Sequence, residues 1–175
     1  MSISPAGGVI DRFQSLFGST STQAHHASVI VLPTELHRNI VDHLWQSLPH
    51  EGVGLLATSA TGDRLIADRF YPGRNMDRSA MRYTMDPADV LSALSDMERR
   101  GARLGAIVHS HPQTPPLPSV TDLTEANFPG VLSLIVGFSP EIHTRAWNLI
   151  FNSDGIAIRG EEIHFEVSSD ERDDT

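Results

Sequence analysis

The chain has 175 residues, of which 39% are hydrophobic, which suffices for one compact α/β domain but is small for two. Its 13 basic and 22 acidic residues give a net charge of −9, which argues against nucleic acid or a membrane surface as the main partner. Cysteine is absent, so disulfides and thiolate metal sites are excluded. No apolar run is long enough to cross a membrane, and a cytoplasmic location is expected.

Residues 1–27 are predicted to form a short amphipathic segment and a linker, outside the folded domain. Asp11 interrupts the apolar stretch and no basic leader precedes it, so no secretory signal is expected. The segment is expected to fray or to dock on its own domain, and the alternative is a partner contact, such as a homodimer, through Phe13 and Phe17. Both interpretations depend on the helical spacing of Val9, Ile10, Phe13, Leu16 and Phe17, followed by the polar residues 19–26.

Residues 28–167 are predicted to form one folded domain, whose first half contains three strands and a helix. The helix opens at Pro33 and Thr34 and ends at Pro49, because its apolar residues recur every four positions and proline cannot continue it. Those apolar residues are Leu36, Ile40, Leu44 and Leu48. The other elements predicted in this half are strands over 28–32, 51–58 and 64–70, a turn over 61–63 and an extended piece over 81–84.

The second half of the domain opens on a helix with clear start and stop signals. Asp86 suits the N-cap position and Pro87 the first turn, whereas Gly101 suits the end of the helix. Residues 168–175 are polar and acidic and are predicted to be a disordered tail. The predicted apolar stripe of the helix is Val90, Leu91, Leu94 and Met97. The elements predicted after it are strands over 104–109, 131–138, 145–152, 156–158 and 163–167, a short helix over 119–126 and a hairpin turn at 153–155.

The most informative motif is His109-Ser110-His111, which ends a predicted strand. Residues i and i+2 of a strand point to the same face, so the two imidazoles aim together and form a two-nitrogen clamp for a metal. Asp122 suits the third ligand position because it lies in the first turn of the next helix, after Ser119 at the N-cap. The loop between them is stiffened by its prolines, which are Pro112, Pro115, Pro116 and Pro118.

This set of side chains predicts a catalytic zinc site. Two imidazoles and one carboxylate leave the fourth position of a tetrahedral zinc for water. Hydrolysis then needs a general base, and Glu51 suits this role, although the sequence alone does not place it beside the histidines. Each residue also has a simpler interpretation. The histidines can be surface residues, Ser119 and Asp122 a helix cap, and Glu51 a solvated strand end.

The order of these residues resembles the signature of the JAMM/MPN+ zinc metallopeptidases, a family that includes prokaryotic JAB-domain proteins. The signature residues in order are Glu51, then His109-x-His111, then after seven residues Ser119, and after two more Asp122. Gly52 stands where the family commonly has a cysteine. The similarity covers about residues 29–167, and the other segments that resemble the family are 49–56, Asn75 with 83–87, and 122–137.

The resemblance implies a fold, a cofactor and a role for each residue. The implied fold is cytidine-deaminase-like, with α/β/α layers around a curved mixed β-sheet. The implied cofactor is one Zn2+ per chain, bound by His109, His111 and Asp122 with a water as the fourth ligand. By the same resemblance, Glu51 is the catalytic base that activates this water, and Ser119 is a catalytic residue that helps to stabilise the oxyanion.

The implied activity is that of a zinc-dependent peptidase or isopeptidase. Such enzymes cleave amide bonds at the C-terminal Gly-Gly of a ubiquitin-like modifier or a sulfur-carrier protein. The alternative from another functional class is a non-catalytic MPN scaffold that only binds protein partners, although scaffolds of this fold usually lack part of the metal set. A zinc hydrolase acting on nucleic acid conflicts with the charge of −9.

Two further expectations concern the surroundings of the site. Met81 to Thr84 is the candidate edge on which an extended Gly-Gly tail adds as a strand, or else a connector whose Tyr83 packs into the core. The histidines outside the motif are expected to be solvated or to cap helices. These are His25, His26, His37, His43, His50, His143 and His164.

Overall fold

The computed structural model of the chain describes residues 27–169 and confirms the predicted mixed α/β class. The predictions for the N-terminal amphipathic segment and for the tail beyond residue 169 lie outside the described residues. In chain order the elements are β1 (Val29–Pro33), α1 (Thr34–Gln46), β2 (Val53–Thr61), β3 (Arg64–Gly73), α2 (Pro87–Arg100), β4 (Arg103–His111), α3 (Val120–Thr124), β5 (Leu132–Gly137), β6 (His143–Phe151) and β7 (Ala157–Ser168).

These strands form one mixed sheet that closes into a barrel in the order β1-β3-β2-β4-β5-β6-β7. Closure depends on β1, which pairs in parallel with β3 on one side and with β7 on the other. β4 is paired on both sides, antiparallel to β2 and parallel to β5. The closure of the sheet was not part of the prediction, because it depends on pairing between strands that are far apart in the sequence.

The two longer helices pack on opposite faces of the sheet, and the alternation of side chains along β4 separates the two cores. Val108 belongs to the apolar cluster that contains Ile40 of α1. Ile107 belongs instead to the cluster that contains Leu94 of α2. His109 continues this alternation and therefore lies on the α2 face of the sheet. Within residues 27–169, each helix is too short or too polar to cross a bilayer.

The helix α2 begins and ends where its sequence signals predict. The Asp86 side chain accepts a hydrogen bond from Ala88 N at 2.7 Å, and Pro87 is the first helical residue. Gly101 ends the helix in the left-handed conformation, with φ of 66°. A residue with a Cβ adopts that conformation less readily, which is why glycine at this position is a stop signal.

Several predicted boundaries are wrong. The strand β2 begins at Val53 and not at residue 51, and α3 covers Val120–Thr124 and not 119–126. The helix α1 ends before Leu48, which the prediction had included in its apolar stripe. Residues 156–158 and 163–167 were predicted as separate strands, but residues 157–168 form the single strand β7, and Ile156 precedes it. The polar residues between them, including Glu161 and Glu162, stay paired with β6 while their side chains are exposed. Backbone pairing does not require apolar side chains on the solvent face, so a polar stretch alone does not indicate that a strand ends.

Truncation of Leu94 is expected to destabilise the fold strongly. Leu94 is 1% exposed, whereas Leu91 on the same helix was predicted to be buried but is 36% exposed. Leu94→Ala removes a fully buried side chain and is expected to lower the free energy of unfolding by about 2–5 kcal/mol. The matched control Leu91→Ala is expected to change it by about 0.5 kcal/mol. Urea denaturation of both variants measures the difference, and equal losses would contradict this description of the core.

Candidate active site

Two histidines lie at the end of β4 and point to the same face of the sheet. His109 is fully buried, His111 is 4% exposed, and their ring centroids are 5.2 Å apart. Both are held by a strand that is paired on each side, since His109 lies opposite Val53 of β2 and beside Ile135 of β5. The backbone of a central strand therefore fixes the spacing of the two imidazoles.

Asp122 reaches both histidines from the first turn of α3. Its Oδ1 lies 3.2 Å from His109 Nε2, and its Oδ2 lies 3.4 Å from His111 Nε2. A capping box holds the carboxylate in place. Ser119 N donates to Asp122 Oδ2 at 2.7 Å, and Asp122 N donates to Ser119 Oγ at 3.1 Å. The Asp122 carboxylate therefore takes part in the helix cap and contacts both histidines at the same time.

The three side chains form a donor set that fits a cation. One ligand atom from each of His109, His111 and Asp122 lies within 4.8 Å of the others. Tetrahedral zinc with bonds of about 2.0–2.1 Å needs ligand atoms roughly 3.3 Å apart, close to the two distances to Asp122. Among the described residues, His109 Nε2 is fully buried, and although Asp122 Oδ1 lies 3.2 Å away, the two atoms are not aligned for a hydrogen bond. An unpaired buried nitrogen is costly, and a bound cation would remove that cost.

The protonation states of these groups also suit a cation. Burial opposes ionisation of Asp122, but the neighbouring imidazoles and Ser119 outweigh this effect and hold the pKa of Asp122 well below its usual range. Burial lowers the pKa of His109, so this imidazole is neutral near pH 7. A metal binds an ionised carboxylate and a neutral imidazole, which are the forms that Asp122 and His109 favour. Burial lowers the pKa of His111, but Asp122 and the Pro115 carbonyl outweigh it and raise this pKa, so a cation bound there would displace a proton.

A hydrogen bond to the loop after β4 orients His111. Its Nδ1 lies 2.9 Å from the carbonyl oxygen of Pro115. A carbonyl only accepts, so Nδ1 carries the proton and donates, which leaves the Nε2 lone pair for the site. This arrangement is typical of metal-binding histidines, whose second nitrogen donates to a carbonyl or carboxylate.

Glu51 lies on the same face of the sheet, just before β2. Val53 lies opposite His109, and the pairing continues one step further through Gly52. Ser110 N donates to Gly52 O at 3.1 Å, and Gly52 N donates to Ser110 Oγ at 2.8 Å. Alternation along the strand then turns Glu51 towards the face that carries the histidines, where its side chain is buried.

The environment of Glu51 gives its carboxyl group an unusual pKa. Burial raises the pKa of Glu51 to about 7, with His111 opposing the shift and the negative charge of Asp122 adding to it. Glu51 is therefore close enough to both side chains for their charges to influence its carboxyl group. A carboxyl group that titrates near neutral pH suits a role in which a proton is accepted and later returned.

Asn75 holds the backbone around Glu51. Its Nδ2 donates to Glu51 O at 2.9 Å and to Arg82 O at 3.1 Å, while its Oδ1 accepts from Thr84 N at 3.1 Å. Glu51 N in turn donates to Ser79 O at 2.7 Å. Sequence reasoning gave Asn75 no role beyond a place in a family-like segment. A single asparagine in a loop has no local pattern that signals such long-range contacts.

Residues 81–84 form a connector, and the described chain has no strand there. Tyr83 is 3% exposed and packs on the ring of His109, with centroids 4.9 Å apart. The backbone groups of Arg82 and Thr84 are already bonded to Asn75. Of the two sequence interpretations, the connector with Tyr83 in the core is therefore the one that the structure shows.

Two of the histidines outside the motif are not solvated as predicted. His37 Nε2 lies 2.9 Å from Thr144 Oγ1, and His43 Nε2 lies 3.0 Å from the carbonyl oxygen of Val53. Both are partly buried and connect α1 to the sheet. Neither pattern was visible in the sequence, because each contact joins elements whose register is set by tertiary packing.

Glu51→Gln is expected to stabilise the metal-free protein near and above neutral pH, but not in acid. The uncharged form of Glu51 is favoured in the fold, so its contribution to stability is present below about pH 4.5 and is lost as the pH rises through about 7. Glutamine cannot ionise, and the variant is expected to gain up to about 3 kcal/mol at pH 8. Urea denaturation at pH 8 and pH 4 measures this, and an equal gain at both values would contradict it.

Several relatives of this chain are peptidases by name. It is 39% identical over 105 residues to a Thermus thermophilus protein named as a probable TtuB-protein conjugate cleaving protease, covering 59% of this chain and 68% of that one. It is 30% identical over 100 residues to a desampylase of Haloferax volcanii, covering 57% and 70% respectively. It is 32% identical over 108 residues to a CysO-cysteine peptidase of Mycobacterium bovis, covering 62% and 73%.

Solved structures and a family match agree with the fold. The solution structure of a protein from Desulfitobacterium hafniense matches with a TM-score of 0.66 and 30% identity, over 82% of this chain and 97% of that one. A protein from Salinibacter ruber shares the fold with a TM-score of 0.55 and 22% identity, over 81% and 92%. Residues 33–150 match the family described as prokaryotic homologs of the JAB domain. This chain therefore belongs to the prokaryotic homologs of the JAB domain.

Proposed function

We propose that this chain is a zinc-dependent peptidase or isopeptidase that cleaves the amide bond after the C-terminal Gly-Gly of a ubiquitin-like modifier or sulfur-carrier protein. The observation that carries the proposal is the convergence of His109, His111 and Asp122 within 4.8 Å, on the face towards which the buried Glu51 turns. The relatives named for cleaving TtuB-protein conjugates and CysO-cysteine support this substrate class.

The proposed roles follow from the contacts of each side chain. His109, His111 and Asp122 would hold one zinc ion per chain. Bound zinc supplies a Lewis acid that polarises a carbonyl group and acidifies water. Glu51 accepts a proton and returns it to the leaving amine, a task that suits a carboxyl group with a pKa of about 7.

Ser119 is proposed to assist at the substrate carbonyl. Its hydroxyl oxygen accepts a hydrogen bond from Asp122 N at 3.1 Å, so the hydroxyl proton is left to donate elsewhere. The capping box fixes the Ser119 backbone next to the carboxylate that contacts both histidines. A donor held in this way can stabilise negative charge that develops on a substrate oxygen.

The substrate groove is proposed to run between two segments with exposed apolar side chains. Met76 and Met81 lie in the segment that holds the Glu51 backbone, and they are 57% and 80% exposed. Leu117 and Val120 lie on either side of Ser119, and they are 45% and 78% exposed. A Gly-Gly tail has no side chains and can pass through a narrow groove, while the body of a modifier protein covers the apolar rim.

The proposed activity is tested with a panel of small modifiers that end in Gly-Gly and carry different C-terminal extensions. These are a linear peptide, a lysine isopeptide and a single amino acid. Mass spectrometry of the products is expected to show cleavage directly after the second glycine by the zinc-loaded protein. Addition of a chelator is expected to stop the reaction, and zinc is expected to restore it. Failure to cut any member of the panel, by protein shown to contain zinc, would contradict the proposed substrate class.

A further inference from the structure

The orientation of His111 depends on a loop that has little backbone hydrogen bonding of its own. This loop, residues 112–118, connects β4 to α3 and contains four prolines, which have no N–H group. One backbone hydrogen bond inside it runs from Leu117 N to Pro115 O at 2.8 Å. The same Pro115 oxygen accepts the hydrogen bond from His111 Nδ1. The loop therefore needs donors from other elements to hold Pro115 in place.

Trp147 of β6 supplies such a donor. Its indole Nε1 donates to the carbonyl oxygen of Pro116 at 2.9 Å, and this hydrogen bond is buried. Pro116 follows Pro115 directly, so the fixed carbonyl is one peptide unit away from the carbonyl that orients His111. A buried carbonyl that loses its donor is costly, so the contact holds the loop firmly.

The indole ring is itself held firmly. It is 8% exposed and belongs to an apolar cluster that contains Ile135 and Leu149. The guanidinium carbon of Arg145 lies 4.7 Å from the ring centroid, and Arg145 is in turn bonded to Glu162 across the β6–β7 pair. Aromatic packing and a cation above the ring both restrict its movement.

The loop also lies directly against β5. A Cβ placed on Gly137 would be 2.7 Å from Pro116 Cδ, closer than real Cβ contacts allow. Gly137 pairs with His111 in the sheet, so Pro116 packs on the strand that neighbours the histidine. The indole and the glycine therefore hold the same proline from two elements.

We infer that Trp147 is a positioning residue for the metal centre, which acts through Pro116 and Pro115 to fix the tautomer and ring orientation of His111. The inference rests on the proposed zinc site but goes beyond the residues that form it. Mutation of residues that orient a metal ligand without binding the metal typically changes metal affinity or activity by a factor of about 10–100.

The test is the zinc affinity of Trp147→Phe, measured by competition with a chromophoric chelator. Phenylalanine keeps an aromatic ring in the cluster but removes the N–H donor. The expected result is zinc binding about tenfold weaker than in the wild type, with a changed visible absorption spectrum of the cobalt-substituted protein. The matched control is Leu149→Ala, which loses packing in the same cluster but no donor to the loop, and its affinity is expected to stay within about twofold of the wild type.

A second variant tests the same positioning without altering the indole. Gly137→Ala places a methyl group against Pro116 and is expected to weaken zinc binding as well, with circular dichroism as the check on folding. Wild-type affinity and an unchanged cobalt spectrum in both folded variants would overturn the inference, as would an equal loss in Leu149→Ala. Wild-type protein without stoichiometric zinc would instead contradict the proposed metal centre itself, so the two failures are distinguishable.

Discussion

Glu51→Gln is expected to abolish cleavage while the metal stays bound. Glutamine has nearly the same shape as glutamate but cannot accept a proton, and loss of a general base typically lowers turnover by about 10²–10⁴-fold. Glu51 is not among the three side chains whose ligand atoms converge. The zinc content of the variant is therefore expected to equal that of the wild type. The measurement is kcat on a Gly-Gly conjugate together with zinc analysis of the same sample.

The control for this variant is Glu98→Gln, which makes the same chemical change at an exposed position of α2. Its turnover is expected to match the wild type. Full activity in zinc-loaded Glu51→Gln would show that another group serves as the base. Loss of zinc from this variant would show that Glu51 binds the metal, and either result would require a different assignment of roles.

Removal of one residue of the proposed metal centre is expected to abolish both zinc binding and activity. His109→Ala deletes a fully buried imidazole whose Nε2 faces the Asp122 carboxylate at 3.2 Å. Loss of a direct ligand is expected to cost more than the roughly 10–100-fold that follows loss of an outer partner. Asp122→Asn keeps the size of the side chain but removes the negative charge, and it is expected to lose zinc as well. Atomic emission spectroscopy of purified protein measures the metal content.

The matched control for His109→Ala is His143→Ala, because His143 is exposed on β6. It is expected to retain one zinc per chain and full activity. Stoichiometric zinc in folded His109→Ala would contradict the ligand assignment. Zinc-free wild-type protein that binds modifier proteins without cleaving them would favour the scaffold alternative.

Local rules explain why the sequence predicted much of the candidate site. His109 and His111 converge because a strand has a side-chain period of two, whatever the rest of the fold does. Ser119 and Asp122 form a capping box within four residues. Asp86 and Gly101 bound α2 for reasons of the same kind. Each of these predictions needed only neighbouring residues.

Long-range contacts account for what the sequence did not predict. Glu51 lies on the same face as the histidines because of the register of β2 on β4, and only the family resemblance had placed it there. Asn75 and Trp147 each form a hydrogen bond to a backbone atom that is distant in sequence, Glu51 O and Pro116 O respectively. The closure of the sheet also depends on a long-range contact, because β1 pairs with β7 and Val29 lies beside His164, far away in the sequence. Such contacts depend on the assembled fold, and short sequence patterns do not specify them.

The most direct test of the proposed metal centre is anomalous diffraction at the zinc absorption edge from crystals of the zinc-loaded protein. The expected result is one strong peak per chain at bonding distance, about 2.0–2.2 Å, from His109 Nε2, His111 Nε2 and a carboxylate oxygen of Asp122. The contrary result is a map without a peak at this position, or with the ion bound elsewhere on the chain. Either outcome would contradict the claim that these three side chains hold the cation required for amide cleavage.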